Sequence, residues 1–203
     1  MSASFSRGLR VVLPLAAILL GGCVRSPEPK FYTLTPVQDQ FIGRRSTPAQ
    51  KAVIGIGPVK LADYLDKPQI VTRTSDEQLA KSEFNRWAGS FKDNFINVLA
   101  DDLGFVLSNQ QIYLYPFRPS MTIEYQITID VIRCDGRLVD AAYLEARWSI
   151  LQGQDKKLFK MSRFSIREPV TGPDYGDLVA AQSRAVAKLS REIAAALQQG
   201  GKS

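Results

Sequence analysis

The residues of this sequence whose type and spacing could do chemistry are two carboxylate pairs, a glycine pair and two cysteines. Asp101 and Asp102 are adjacent. Paired carboxylates can act as general acid and base, but neighbouring helix positions point about 100° apart and do not converge on one substrate atom. Both are expected to be solvated. Glu124 and Asp130 share one side of a strand pattern six residues apart, roughly 20 Å at about 3.3 Å per residue, too far to work together. Gly55 and Gly57 have the wrong spacing for a phosphate-cradling loop, and no helix pattern follows them directly. The chain contains no histidine, which removes histidine-based triads, histidine general bases and most zinc sites. Neither a G-x-S-x-G elbow nor a Walker loop is present, and each would carry its own chemistry. The expectation is a protein that is not an enzyme, with no cofactor and no bound metal.

Cys23 is different. The first ten residues hold Arg7 and Arg10 and no acid, and Val11 to Leu20 is apolar apart from Pro14. Ten residues make about 15 Å of helix, half of the ~30 Å hydrocarbon core, so the run is too short to span a bilayer. A basic start, a short apolar stretch and small residues before a cut site describe a secretory signal peptide over residues 1–22. Leu20-Gly21-Gly22-Cys23 resembles the lipobox of bacterial lipoproteins. In that motif the cysteine thiol takes a diacylglyceryl group, and cleavage frees its amine for a further, palmitate-like chain. Removal of residues 1–22 leaves 181 residues with 24 Lys and Arg against 20 Asp and Glu. That is enough for one domain with its own core, 31–203. The surface is mildly basic, with no Lys/Arg run of the kind that binds nucleic acid. Cys134 becomes the remaining thiol, expected to be a small buried residue, and no internal disulfide can form. Val24 follows the lipobox cysteine. An aspartate there marks inner-membrane retention in enterobacterial sorting, so valine favours the outer membrane by resemblance to that rule. Residues 23–30 form a short tether: Val24 to Lys30 holds two prolines and covers at most about 25 Å.

The elements behind these residues follow from periodicity. FYTL (31–34), Ala52 to Val59 and Gln69 to Arg73 read as strands. Pro36 to Gln50 has loop composition. Phe84, Trp87, Ala88, Phe91, Phe95, Val98, Leu99 and Leu103 recur at helical spacing, predicting a helix over Ser82–Leu103 capped by Ser82 and stopped by Gly104. Met121 to Val131 alternates strictly, which means one buried and one wetter face. Asp135-Gly136 is a favoured turn dipeptide. Ala142 to Leu151 and Leu158 to Ile166 continue the meander, and a second amphipathic helix closes the chain over 174–199. The pattern is a mixed sheet covered by helices, α/β or α+β.

FYTL and the run GIGPVKLADYLDKPQIVTRTSDEQLAKSEFNRW carry a resemblance to the auxiliary lipoproteins of ABC-type and MCE-type intermembrane transport systems. Its marks are Gly57-Pro58-Val59, Tyr64 through Arg73, and Trp87, with LEARWSI and the C-terminal VAAQSRAVAKLSREIAAAL in support. The family often has Pro-Leu soon after the Trp, where this chain has Gly89-Ser90-Phe91. The resemblance implies a three-layer α/β/α sandwich with a mixed, largely antiparallel sheet and two long amphipathic helices. It also implies an outer-membrane lipoprotein that works, without catalysis, with an MCE-domain protein anchored in the inner membrane. That partner would form a channel for apolar molecules, and this chain would dock its far end. Ring-like homo-oligomers are compatible with such a role.

Tyr64, Leu65 and Arg73 are the candidate partner-binding or self-assembly residues, because Tyr and Arg are favoured interface anchors and the stretch is punctuated by proline. The plainer alternative has Tyr64 and Leu65 capping the core and Arg73 pairing with an acid. Two rival functions share the anchor. A structural or assembly lipoprotein would bind peptidoglycan or another envelope protein. A lipid carrier would enclose its own cargo and need an apolar cavity, whereas single-striped helices and sharply alternating strands predict a filled core.

Overall fold

A computed structural model describes residues 27–36, 52–108 and 111–200. The expected signal peptide, Cys23 and most of the 36–50 loop lie outside the described residues. The chain runs β1 (Lys30–Tyr32), β2 (Ile54–Leu61), β3 (Gln69–Arg73), β4 (Leu79–Trp87), α1 (Phe91–Leu107), β5 (Ile112–Leu114), β6 (Tyr125–Gly136), β7 (Ala141–Gln152), β8 (Lys157–Pro169) and α2 (Tyr175–Gly200).

The strands make two mixed sheets, β1-β4-β3 and β5-β2-β6-β7-β8, so the α/β class holds. The long ladders, β6–β7 and β7–β8, are antiparallel. The short β1–β4, β2–β5 and β2–β6 pairings are parallel. Helix α1 packs on β2 and β5, α2 on β6, β7 and β8, and the helices pack on each other. Alternation explains the large sheet: Ile127, Ile129 and Val131 of β6 and Leu144, Ala146, Trp148 and Ile150 of β7 are buried. They meet Leu178, Val186, Leu189 and Ile193 of α2 in one core that also takes Phe91, Phe95 and Leu99 of α1. Three polar side-chain atoms of α2 that enter this core have partners. Ser183 and Ser190 donate to the carbonyls of Val179 and Val186, and Gln182 Nε2 donates to the Cys134 carbonyl.

Four expectations need correction. Residues 79–87 form strand β4, not the start of a helix. Phe84 and Trp87 have helical spacing with Phe91, but Phe84 points to solvent and Trp87 inward on the pleat. The helix starts after Gly89, where Ser90 Oγ accepts from the Asp93 N–H at 3.2 Å, and Ser82 has no capping role. Gly104 lies inside α1, which stops at Ser108 in the left-handed region. Asp101 is exposed but Asp102 is only 2% exposed; the 100° offset between neighbours sent one out and one in. Asp135-Gly136 is not a turn. It ends β6, its pairing runs to Tyr143 and Ala142, and the reversal falls on 137–140.

Strand β6 also begins later than the alternation suggests, at Tyr125. Gln126, on the nominally wet side, is buried because its Nε2 donates to the Gly57 carbonyl at 2.7 Å. Strand β5 was not anticipated: IYL is three residues long and largely exposed.

Candidate functional site

A β-bulge between Val131 and Arg133 resets the facing of β6. Cys134 then joins the core beside Leu144, while Arg133 and Asp135 turn to the opposite face. The Asp135 side chain is fully buried there. It accepts from Arg73 twice, Nε to Oδ1 at 3.2 Å and Nη2 to Oδ2 at 2.9 Å. Arg133 Nε donates to Oδ1 at 2.8 Å and the Tyr64 hydroxyl to Oδ2 at 2.9 Å. The Arg133 guanidinium also lies 3.9 Å over the Tyr143 ring, a cation–π contact.

Burial alone would raise the Asp135 carboxyl, but the hydrogen bonds from Arg73, Arg133 and Tyr64 outweigh it and hold the group below the usual carboxylate range. Burial first, and then the Asp135 charge, push the Tyr64 phenol well up, so it stays protonated and donating. The arrangement is saturated: both carboxylate oxygens are filled by four donations from three side chains, with no proton to give and no lone pair aimed at a substrate. Its chemistry is adhesion. Arg73 belongs to the small sheet, Tyr64 to the β2–β3 connection and Arg133 to the large sheet, so one carboxylate pins three segments together.

The three candidate contact residues are therefore oriented inward to different degrees. Leu65 is a core residue, 4% exposed, and Tyr64 and Arg73 are half-buried with their polar ends on Asp135. Asp63, Asp66, Lys67 and Pro68 around them are the exposed residues of that stretch. The acid that Arg73 meets sits 62 positions away; the only local sign was an aspartate where an apolar strand should simply have turned.

The glycine pair has a packing role. A Cβ on Gly55 would lie 2.5 Å from the ring of Phe117, and one on Gly57 would lie 2.6 Å from Tyr115 Cβ, with φ at +117° besides. Two aromatic side chains from the segment after β5 close over β2 at these positions. Cys134 is buried, and burial with the neighbouring Asp135 charge pushes its thiol far up, leaving it unreactive. Among the described residues no group of three or more His, Cys, Asp and Glu side chains could hold a metal ion. A hollow of about 200 Å³ at the joint of β1, β4 and α1 is lined by Tyr32, Thr33, Trp87, Ser90, Asn94 and Asn97 among others. It is smaller than pockets that enclose drug-sized ligands, and polar where an acyl chain would need apolar walls. Among the described residues no helix is long and apolar enough to cross a membrane.

Residues 32–194 match the family described as the ABC-type transport auxiliary lipoprotein component. No curated protein matches the chain. Among solved structures, an uncharacterised protein superposes with a TM-score of 0.67 at 19% identity, covering 83% of this chain and 98% of its own. A protein from Xanthomonas campestris of the family of unknown function DUF330 gives 0.66 at 18% identity, covering 87% and 99%. Such low identities speak for the fold alone. The match of the family description over most of the folded chain is what identifies it: the chain belongs to the ABC-type transport auxiliary lipoprotein family.

Proposed function

We propose that this auxiliary lipoprotein is held at the periplasmic face of the outer membrane by an acylated Cys23 and receives there the far end of a channel formed by an MCE-domain protein of the inner membrane. The observation that carries the proposal is the family match over residues 32–194 behind a lipobox cysteine seven residues before β1. One acyl chain holds a protein only marginally and two or more make the anchor stable, so a multiply acylated Cys23 fixes the working compartment. The absence of a histidine from the chain and the saturated Asp135 cluster suit a role in positioning rather than turnover. Val24 favours the outer membrane over the inner.

Tyr64, Leu65 and Arg73 serve docking as the struts of the 62–68 turn, whose exposed Asp63, Asp66 and Lys67 meet the partner. The test is a photo-crosslinking residue at Lys67 in the lipidated protein in intact cells. Recovery of an MCE-domain protein supports the docking role. Recovery of further copies of this chain alone reassigns the stretch to a homo-oligomer contact, and recovery of peptidoglycan-associated proteins replaces transport with envelope assembly. Cys23→Ser should abolish incorporation of labelled palmitate and release the protein from the membrane fraction; retention there would sink the anchor.

A further inference from the structure

Strand β1 begins at Lys30, seven residues after Cys23, and its second residue, Phe31, is 62% exposed. An unburied phenylalanine is an ordinary surface event by itself. Its neighbours make it more. Phe31 pairs with Arg86 of β4, and paired residues lie on one face of a sheet. Phe84, two positions along β4 in the stretch where the ladder to β3 shifts register, is 42% exposed. The opposite face of β4 is spent inward: Trp87 is buried and Asn85 Oδ1 accepts from the Tyr32 hydroxyl. The small sheet thus turns two aromatic rings outward, at the place where the chain arrives from its lipid anchor.

We infer that the Phe31–Phe84 face of the small sheet rests in the headgroup layer of the membrane that holds acylated Cys23. The inference depends on the acylation proposed above. The tether argues for a lipid surface rather than a protein partner. Seven residues reach at most about 25 Å, shorter than the span of a domain of this size, so the face from which the tether leaves cannot turn far from the bilayer. Charge on these segments is mixed: Lys30, Lys81 and Arg86 stand against Glu28 and Glu83. Attraction to anionic lipid is accordingly weak, and the rings supply the contact. Aromatic side chains are at home at the bilayer interface, and amphipathic elements settle about 5–10 Å into the headgroup–acyl boundary.

The test uses the lipidated mature chain in vesicles of phosphatidylethanolamine and phosphatidylglycerol containing brominated lipids. Phe31→Trp and, separately, Phe84→Trp report depth against Met161→Trp, at an exposed position on β8; the native Trp87 and Trp148 are buried and give a constant background. Both reporters on the small sheet should shift to the blue and be quenched, at a depth within that 5–10 Å, and raised salt should leave the quenching in place. The Met161→Trp reporter should stay unquenched. If the protein floats with the vesicles but the three reporters are quenched alike or not at all, the face is wrong and the anchor stands. Failure to float at all removes the anchor and the inference with it. A blue shift that grows with protein concentration and does not need vesicles assigns the face to a second copy instead.

Discussion

Along β7 of the five-stranded sheet every helix-facing residue from Ala142 to Ile150 is buried, whereas among the nine residues of β4, the middle strand of the three-stranded sheet, only Trp87 is. The large sheet is a layer with two helices on it, and its stability comes from apolar area. The small sheet has little of that. It is pinned through β3, whose Ile70, Val71 and Thr72 are buried, through Trp87 stacked 4.7 Å from Phe91, and through Arg73 on Asp135. One sheet is held by its own faces and the other at a few points, which leaves the second free to present residues outward.

Leu144→Ala should show the larger effect of the two kinds of holding. Leu144 is fully buried in the large-sheet core, and such truncations cost about 2–5 kcal/mol including the cavity left behind. Chemical denaturation should show a lower midpoint with an unchanged slope. A cost under about 1 kcal/mol would mean that the large sheet is not held by its core.

Asp135→Asn attacks the joint. Two guanidiniums, 17% and 23% exposed as side chains, would face a neutral amide. Their partial hydration keeps the loss below that of a fully buried pair, at about 2–3 kcal/mol. The pH dependence has a definite sign. A carboxyl whose folded pKa lies below its unfolded value of about 3.9 stabilises the fold above that value, and loses the contribution as pH falls through the folded pKa. Wild-type stability should therefore drop below about pH 4 by an amount that the Asn variant has already lost. Parallel stability curves for the two proteins in that range would remove Asp135 from its pinning role.

Gly57→Ala tests whether the glycine pair is a packing device. A positive φ and a Cβ pressed on Tyr115 should together cost about 1–3 kcal/mol. Tyr115→Gly in the same chain removes the clashing Cβ and should return the part due to the clash, and no rescue would assign the whole cost to the backbone. Ser90→Ala, at the seam where β4 hands over to α1, should cost about 1 kcal/mol through the lost bond to the Asp93 N–H. Thermal melting resolves that as a fall of about 2–4 °C in a chain of this size.

The same contrast governs what could be read from the sequence. Strand β7 and helix α2 bury one face each over twelve or more residues and β6 does so from Tyr125 to Val131, so their periods of two and 3.6 are long and unambiguous. Strand β3 was legible because QIVTR is β-branched and bounded by proline. In β4 the pattern misled: Phe84, Trp87 and Phe91 are spaced for a helix, but one faces water, one faces the core across a pleat and one belongs to the next element. Gly89-Ser90 with Asp93 three residues on was the signal to weigh, a breaker followed by a cap. The Asp135 cluster was illegible for another reason. Its arginine, its tyrosine and its carboxylate are brought together by a bulge and by contact between sheets, and neither leaves a local period.

Leu79→Ala is the smallest effect and the sharpest check on the comparison, because it repeats the Leu144 truncation in the other sheet. Leu79 pairs with Arg73 at the far end of β4 and is 37% exposed. If the small sheet is held through Ile70, Trp87 and the Arg73–Asp135 pair, removing this side chain vacates no core space, and the change should stay within about 0.5 kcal/mol. A loss near that of Leu144→Ala would mean that Leu79 supports Arg73 and that the joint extends along the whole β3–β4 ladder. Combining Leu79→Ala with Asp135→Asn separates the cases. Additive losses keep Leu79 a bystander, and a shortfall from additivity makes it part of the pin.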